Sequence, residues 1–221
     1  MPLRDDIPSR SYPIVNVLLI VVNLAVFVYE VSLGRYVDYF IYSHGVIPAQ
    51  LVDAGLTADQ MARLTTAMFL HGGWFHVLSN MLYLWIFGDN VEDRMGHFKY
   101  LVFYLLTGYI ATIAHVLYAP MSKSPLIGAS GAIAGVLGAY LILFPGARVL
   151  TLIFVFIFIQ VVPIPAVIFL GIWFILQVLN GTAGLSGQVA QGVAFWAHIG
   201  GFVAGMLLVK LFARRRRYAN Y

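Results

Sequence analysis

The sequence contains no cysteine, which removes disulfide bridges, thiolate nucleophiles and cysteine metal sites from consideration. Charge is also scarce: 10% of the 221 residues are Asp, Glu, Lys or Arg, against 61% apolar side chains and a mean hydropathy of +0.88. Ordinary soluble domains carry about 25% charged residues, so the composition is that of a membrane protein. At about 20 residues per crossing, the length allows six or seven spans and no sizeable soluble domain. The acids are absent from more than half of the chain. All nine (Asp5, Asp6, Glu30, Asp38, Asp53, Asp59, Asp89, Glu92 and Asp93) precede Arg94. An aspartate pair inside apolar spans and a His-Glu-x-x-His zinc helix are therefore both missing. Only Glu30 and Asp89 come near a span, each close to an end, which weakens a proton-coupled transporter reading. Hydrolytic chemistry in this bundle has to use other groups.

What is present is a series of apolar runs. Residues 1–13 read as a short polar tail, too acidic for a transit peptide and without the features of a removed signal. Spans are expected over Ile14–Leu33, Leu70–Gly88, Tyr100–Tyr118 and Ser130–Phe144, with 34–66 a long structured outer loop. Val149 to Leu179 is an apolar run of 31 residues, about 46 Å as a straight helix and too long for one crossing. Pro163 and Pro165 divide it into an interfacial or re-entrant approach, 149–162, and a fifth span, Ile164–Leu179; two short spans are the weaker division. A polar, Gly-rich connection, Asn180–Gln191, leads to the sixth span, Val193–Phe212, and a basic tail, 213–221.

The expected class is thus an all-α, polytopic bundle of six transmembrane helices, 14–212. Six spans place both termini on one side, where ten basic residues would face three (Arg35, Arg63 and Lys123) on the other. The positive-inside rule makes the terminal side cytoplasmic. The run Arg214 to Arg217 is then a topology anchor, and a net charge of +4 calls for no nucleic-acid partner. A bacterial-type plasma membrane is the simplest location.

A few polar residues interrupt the spans: His76 and Asn80, Ser130, and His198. Unpaired polar groups cost several kcal/mol in hydrocarbon, so these should face one another or a wet cavity. Measured back at ~1.5 Å per residue from the inner ends of their spans, all three sites lie about 20–24 Å up, toward the outer side of a core ~30 Å thick. The fourth span is short, so Ser130 would start it below the surface. A helix N-terminus offers unpaired N–H groups and a positive dipole end to an oxyanion, and His198 could take the serine proton. With no acid beyond Asp93, a dyad is expected instead of a triad. His76 and Asn80, at i and i+4, share a helix face and could donate to the same oxyanion. Gly128, Gly131, Gly135 and Gly138 give one helix a smooth face, answered by Gly201 and Gly205, and so allow the close backbone approach a dyad hydrogen bond needs. Blander readings exist: Ser130 as a helix cap, His198 as a packing residue, the tryptophans as interface anchors, and His71, His76 and His198 as metal ligands. The last lacks a carboxylate or thiolate companion, and no metal or cofactor is expected.

Arg63-x-x-Thr66, His71-Gly-Gly-Trp74, His76-x-x-x-Asn80, Gly128-x-Ser130-Gly131-x-x-x-Gly135 and Ala197-His198-x-x-Gly201-x-x-x-Gly205, in this order, resemble the rhomboid intramembrane serine proteases. The resemblance covers Arg63 to Gly205. It implies Ser130 as nucleophile, His198 as general base and acid, and an oxyanion hole from the Ser130 N–H with His76 and Asn80. It also implies an Arg63 loop in the outer leaflet and transmembrane proteins as substrates, cut in or near their membrane segment. Ala62 and Ala134 depart from the best-known bacterial pattern, where a tryptophan and an aromatic residue stand. The second departure leaves the His198 ring to another support, for which Trp196 is a candidate. A catalytically idle relative that binds membrane clients is the alternative, against which all four polar site residues argue. Oligomeric state is not readable from the sequence.

Overall fold

The computed structural model describes residues 1–155, 158–183 and 193–214. Its helices are α1 (Ile14–Ser32), α2 (Val37–His44), α3 (Pro48–Ala54), α4 (Ala58–Thr66), α5 (Trp74–Met95), α6 (His97–Tyr118), α7 (Ser130–Leu143), α8 (Ala166–Ala183) and α9 (Phe195–Phe212). Among the described residues α1, α6, α8 and α9 are long and apolar enough to cross a membrane. The other two expected spans differ in kind. α7 has 14 residues, while α5 has 22 but ends in Asp89, Glu92, Asp93 and Arg94. It continues past the expected boundary because nothing stops a helix before Gly96, whose φ of +83° turns the chain directly into α6.

The fold is mostly helical but not all-α. Pro2–Asp5 (β1), Arg148–Val155 (β2) and Phe158–Pro165 (β3) form an antiparallel sheet in the order β1-β2-β3. The described residues of the segment 149–162, expected as an approach to the fifth span, thus lie in the paired strands β2 and β3. Their β-branched side chains suit a pleated strand. Pro163 opposite Leu150 and Pro165 opposite Arg148 sit on the edge strand, where a missing N–H is tolerated.

The acids of α5 explain the docked N-terminal segment. Glu92, fully buried, accepts the Val15 and Asn16 N–H groups at 3.0 and 2.7 Å, satisfying donors in the first turn of α1 that have no intrahelical partner. Asp93 accepts the Ser11 N–H and hydroxyl, and Asp89 the Ser9 hydroxyl at 2.6 Å. Asp5 receives the Tyr140 hydroxyl and the Asn90 amide; burial raises its carboxyl pKa to about 6. The Arg214 N–H meets the Arg94 carbonyl at 2.9 Å, so the end of α9 arrives beside the start of the chain. Of the expected basic tail, 215–221 lies outside the described residues, as does most of the connection Asn180–Gln191.

α7 forms the centre, with every residue from Gly131 to Tyr140 buried. A methyl group at Gly201 or Gly205 would overlap the carbonyl oxygens of Gly131 and Gly135, and one at Gly138 would overlap that of Phe202. Gly131 and Gly135 themselves face Ala111 and Thr107 of α6. Backbone-to-backbone packing of α7 against α9 is therefore direct, as the glycine spacing implies.

Candidate active site

Ser130 opens α7 and His198 lies in the first turn of α9, so the glycine contact between these helices brings their first turns together. The Ser130 Oγ and His198 Nε2 are 2.8 Å apart. Nδ1, on the opposite side of the ring, is 2.8 Å from Gln177 Oε1, reaching in from α8. An amide oxygen can only accept, so Nδ1 carries the proton and Nε2 is left as an acceptor for the serine hydroxyl. A serine in this pairing has its proton directed at a base.

His76 and Asn80 come from the first two turns of α5 and line the same cavity of about 690 Å³ as Ser130 and His198, with Tyr83, Leu126, Trp173 and Ala194 among its walls. The His76 ring is packed over Gly128. A methyl group there would stand 2.7 Å from His76 Nε2, and the glycine's φ of +117° is itself closed to ordinary side chains. Asn80 Nδ2 is buried and has no hydrogen-bond partner. An unpaired donor on a residue that lines a cavity, beside a serine hydroxyl and a helix N-terminus, is an arrangement that an oxyanion would complete.

The remaining expected residues hold the site without lining it. Arg63 bonds Asp59 Oδ2 at 2.7 Å and the Tyr42 carbonyl at 3.1 Å, tying α4 to α2; the Thr66 hydroxyl holds the His44 carbonyl at 2.6 Å. These bonds secure the 34–66 loop, in which Ala62 has no anchoring side chain to offer. The His71 ring packs edge-on against His76 at 5.0 Å, and the His71 backbone N–H points at the Glu30 carboxylate, at 3.2 and 3.3 Å from the two oxygens. Trp196 does not support the His198 ring. It stacks on Tyr118 at 4.9 Å and donates to the Gly181 carbonyl, while the His198 ring contacts Gln177 and has Trp173 beside it at 6.0 Å. Gln177 escaped the sequence reading, although a signal was there: a lone amide in an otherwise apolar stretch of span.

Fold and cavity define a polytopic membrane protein whose polar side chains converge at one end of its bundle. A family model described as "Rhomboid domain" matches residues 58–215. The chain belongs to the rhomboid family. It is 28% identical over 190 residues to Rhomboid-like protein 11, chloroplastic, of Arabidopsis thaliana, an overlap of 83% of this chain and 63% of that protein. It is 30% identical over 145 residues to Rhomboid protein 1, mitochondrial, of Saccharomyces cerevisiae, covering 63% and 38%. It is 43% identical over 79 residues to Rhomboid protease GluP of Bacillus subtilis, covering 36% and 15%. The chain thus spans at most 63% of the length of these relatives. Two are named for organelles and the third comes from a bacterium, so they do not support the expected bacterial plasma membrane over an organellar one.

Proposed function

We propose that the chain is an intramembrane serine endopeptidase that cleaves membrane-anchored proteins in or near their transmembrane segment. The observation that carries this reading is the 2.8 Å contact between Ser130 and the acceptor nitrogen of His198, in a cavity that also holds the unpaired Asn80 amide. Ser130 Oγ bonds to the scissile carbonyl carbon as its proton passes to His198 Nε2. The resulting oxyanion meets the N-terminus of α7, His76 and Asn80. The carbon–nitrogen bond then breaks, and the departing amine takes the proton from His198. Water repeats the sequence on the acyl ester, giving a proton to His198, which passes it to Ser130 as the carbon–Oγ bond breaks and the carboxyl product leaves.

Six crossings, α1 and α5 to α9, with both termini cytoplasmic, accompany this reading. It is supported by the bonds that gather Ser11 and Arg214 at the Asp93–Arg94 end of α5, and by the excess of basic residues on that side. The short α7 would then begin within the membrane, where water entering the cavity meets the substrate helix. Purified protein in liposomes is expected to cleave a model transmembrane substrate and to take a fluorophosphonate on Ser130. Ser130→Ala and His198→Ala should each abolish cleavage with the fold retained. Cleavage that survives either change removes the dyad, and a well-folded wild type inert to both reagents makes the chain a binder of membrane clients instead.

A further inference from the structure

We infer that Gln177 is the positioning residue for His198, and that its amide is itself oriented by the backbone of its own helix. The inference rests on the serine protease reading and adds the third member that the dyad lacks. Three hydrogen bonds run in series. The Gln177 Nε2–H donates to the Trp173 carbonyl, four residues earlier on α8, at 3.3 Å. The opposite end of the amide, Oε1, then faces His198 Nδ1 at 2.8 Å, and His198 Nε2 faces Ser130 Oγ at 2.8 Å.

The direction of this chain is not arbitrary, because a backbone carbonyl only accepts. Were the amide turned over, Gln177 Oε1 would oppose the Trp173 carbonyl oxygen, two acceptors with no proton between them. Its NH2 would donate to Nδ1, place the ring proton on Nε2 and leave that nitrogen unable to receive the serine proton. The Trp173 carbonyl therefore excludes the idle tautomer through Gln177. An aspartate performs the corresponding service in a Ser-His-Asp triad by accepting the Nδ1 proton. Here the acceptor is neutral, which suits a stretch of chain with no acid beyond Asp93 and avoids burying a permanent charge in an apolar bundle. It also accounts for Ala134, which is fully buried within α7 and presents no side chain that could hold the ring.

The test compares Gln177→Leu, which removes the acceptor and suits an apolar helix, with Gln177→Glu. The latter keeps an oxygen toward Nδ1 whether ionised or protonated, and when protonated it can also donate to Trp173. Cleavage of a reconstituted transmembrane substrate should show kcat reduced about 10- to 100-fold in the leucine variant, the range found when the hydrogen-bond partner that orients a metal-bound histidine is removed. KM should change little, and the glutamate variant should recover most of the loss. Nitrogen-15 spectra of the histidines, with the His198 signals identified by their disappearance in His198→Ala, provide a reading independent of activity. The wild type should show Nδ1 protonated and Nε2 bare, and Gln177→Leu a shift toward the other tautomer. An unchanged His198 tautomer in the leucine variant, or unchanged kcat where the wild type cleaves and Ser130→Ala does not, overturns the inference. A wild type that never cleaves counts against the protease reading alone, and the spectra still decide the role of Gln177.

Discussion

At the scale of single residues, the site is built from side chains whose alternatives are blocked by neighbours. His198 is held from both ring nitrogens, and His76 is held over Gly128, where the chain adopts a backbone angle of +117°. Gly128→Ala should therefore act on the chemistry more than on the fold. The added methyl group costs about 1–3 kcal/mol in backbone strain and, at 2.7 Å from Nε2, moves the imidazole. Losing one oxyanion donor typically lowers kcat by about 100- to 1,000-fold, so a drop approaching that size is expected in the liposome cleavage assay. The variant should still elute as a single species and label at Ser130. Full activity in Gly128→Ala would mean that His76 does not serve the oxyanion. Ser130, His76 and His198 were legible in the sequence because each is a polar group in an apolar span at a depth that arithmetic places level with the others, and Asn80 because it shares the helix face of His76 one turn away. Gln177 obeys the same rule, but it lies three residues before Asn180, where the apolar run gives way to a polar connection, and so read as part of the span's end.

At the scale of elements, the contact between α7 and α9 is made of glycines against carbonyls, and it has almost no room to adjust. Gly205→Ala and Gly201→Ala each place a methyl group on a backbone oxygen, so the helices must separate. Overpacking of this kind costs about 1–3 kcal/mol and would also lengthen the Ser130–His198 contact. Gly171→Ala on α8 is the internal control, since nothing lies within 4 Å of the added carbon. Thermal unfolding in detergent should show lowered midpoints for the first two variants and an unchanged or slightly raised one for the third. Equal behaviour of all three would dissolve the close-packing argument. These glycine contacts were legible because small-residue spacing reports directly on helix approach. The β-hairpin was not. Its strands are apolar at nearly every position, so they lack the alternation that distinguishes a half-buried strand, and length and proline are the only remaining cues. The other partner of β2, Pro2–Asp5, is far away in the chain, and no local pattern announces that pairing.

At the scale of the whole molecule, the two ends of the bundle divide the work. One end carries the cavity and its polar side chains, at the first turns of α5, α7 and α9 and the last turns of α8. The other carries most of the tethers of the chain's two ends: Asp89, Glu92 and Asp93 receiving the N-terminal segment, the sheet joining β1 to β2, and the backbone bond from the Arg214 N–H to the Arg94 carbonyl. This division makes a prediction about crossings, and the absence of cysteine makes it directly measurable, because a single introduced thiol is the only one in the chain. Exposed positions suited to replacement by cysteine are Arg10, Lys99, Gly146 and Lys210 at the tethered end, and Leu56, Met121 and Thr182 at the cavity end. With six crossings, a membrane-impermeant maleimide added to sealed vesicles should label one set and spare the other, and inverting the vesicles should exchange the two. The short α7 is the informative element. If the 14-residue α7, which lies between Met121 and Gly146, did not complete a crossing, Gly146 would label with Met121, both ends of the chain could no longer share a side, and the charge asymmetry would lose its meaning. Labelling of Gly146 with Arg10 and Lys99 instead requires the membrane or its water to come to the N-terminus of α7, which places Ser130 below the surface and in reach of a substrate helix.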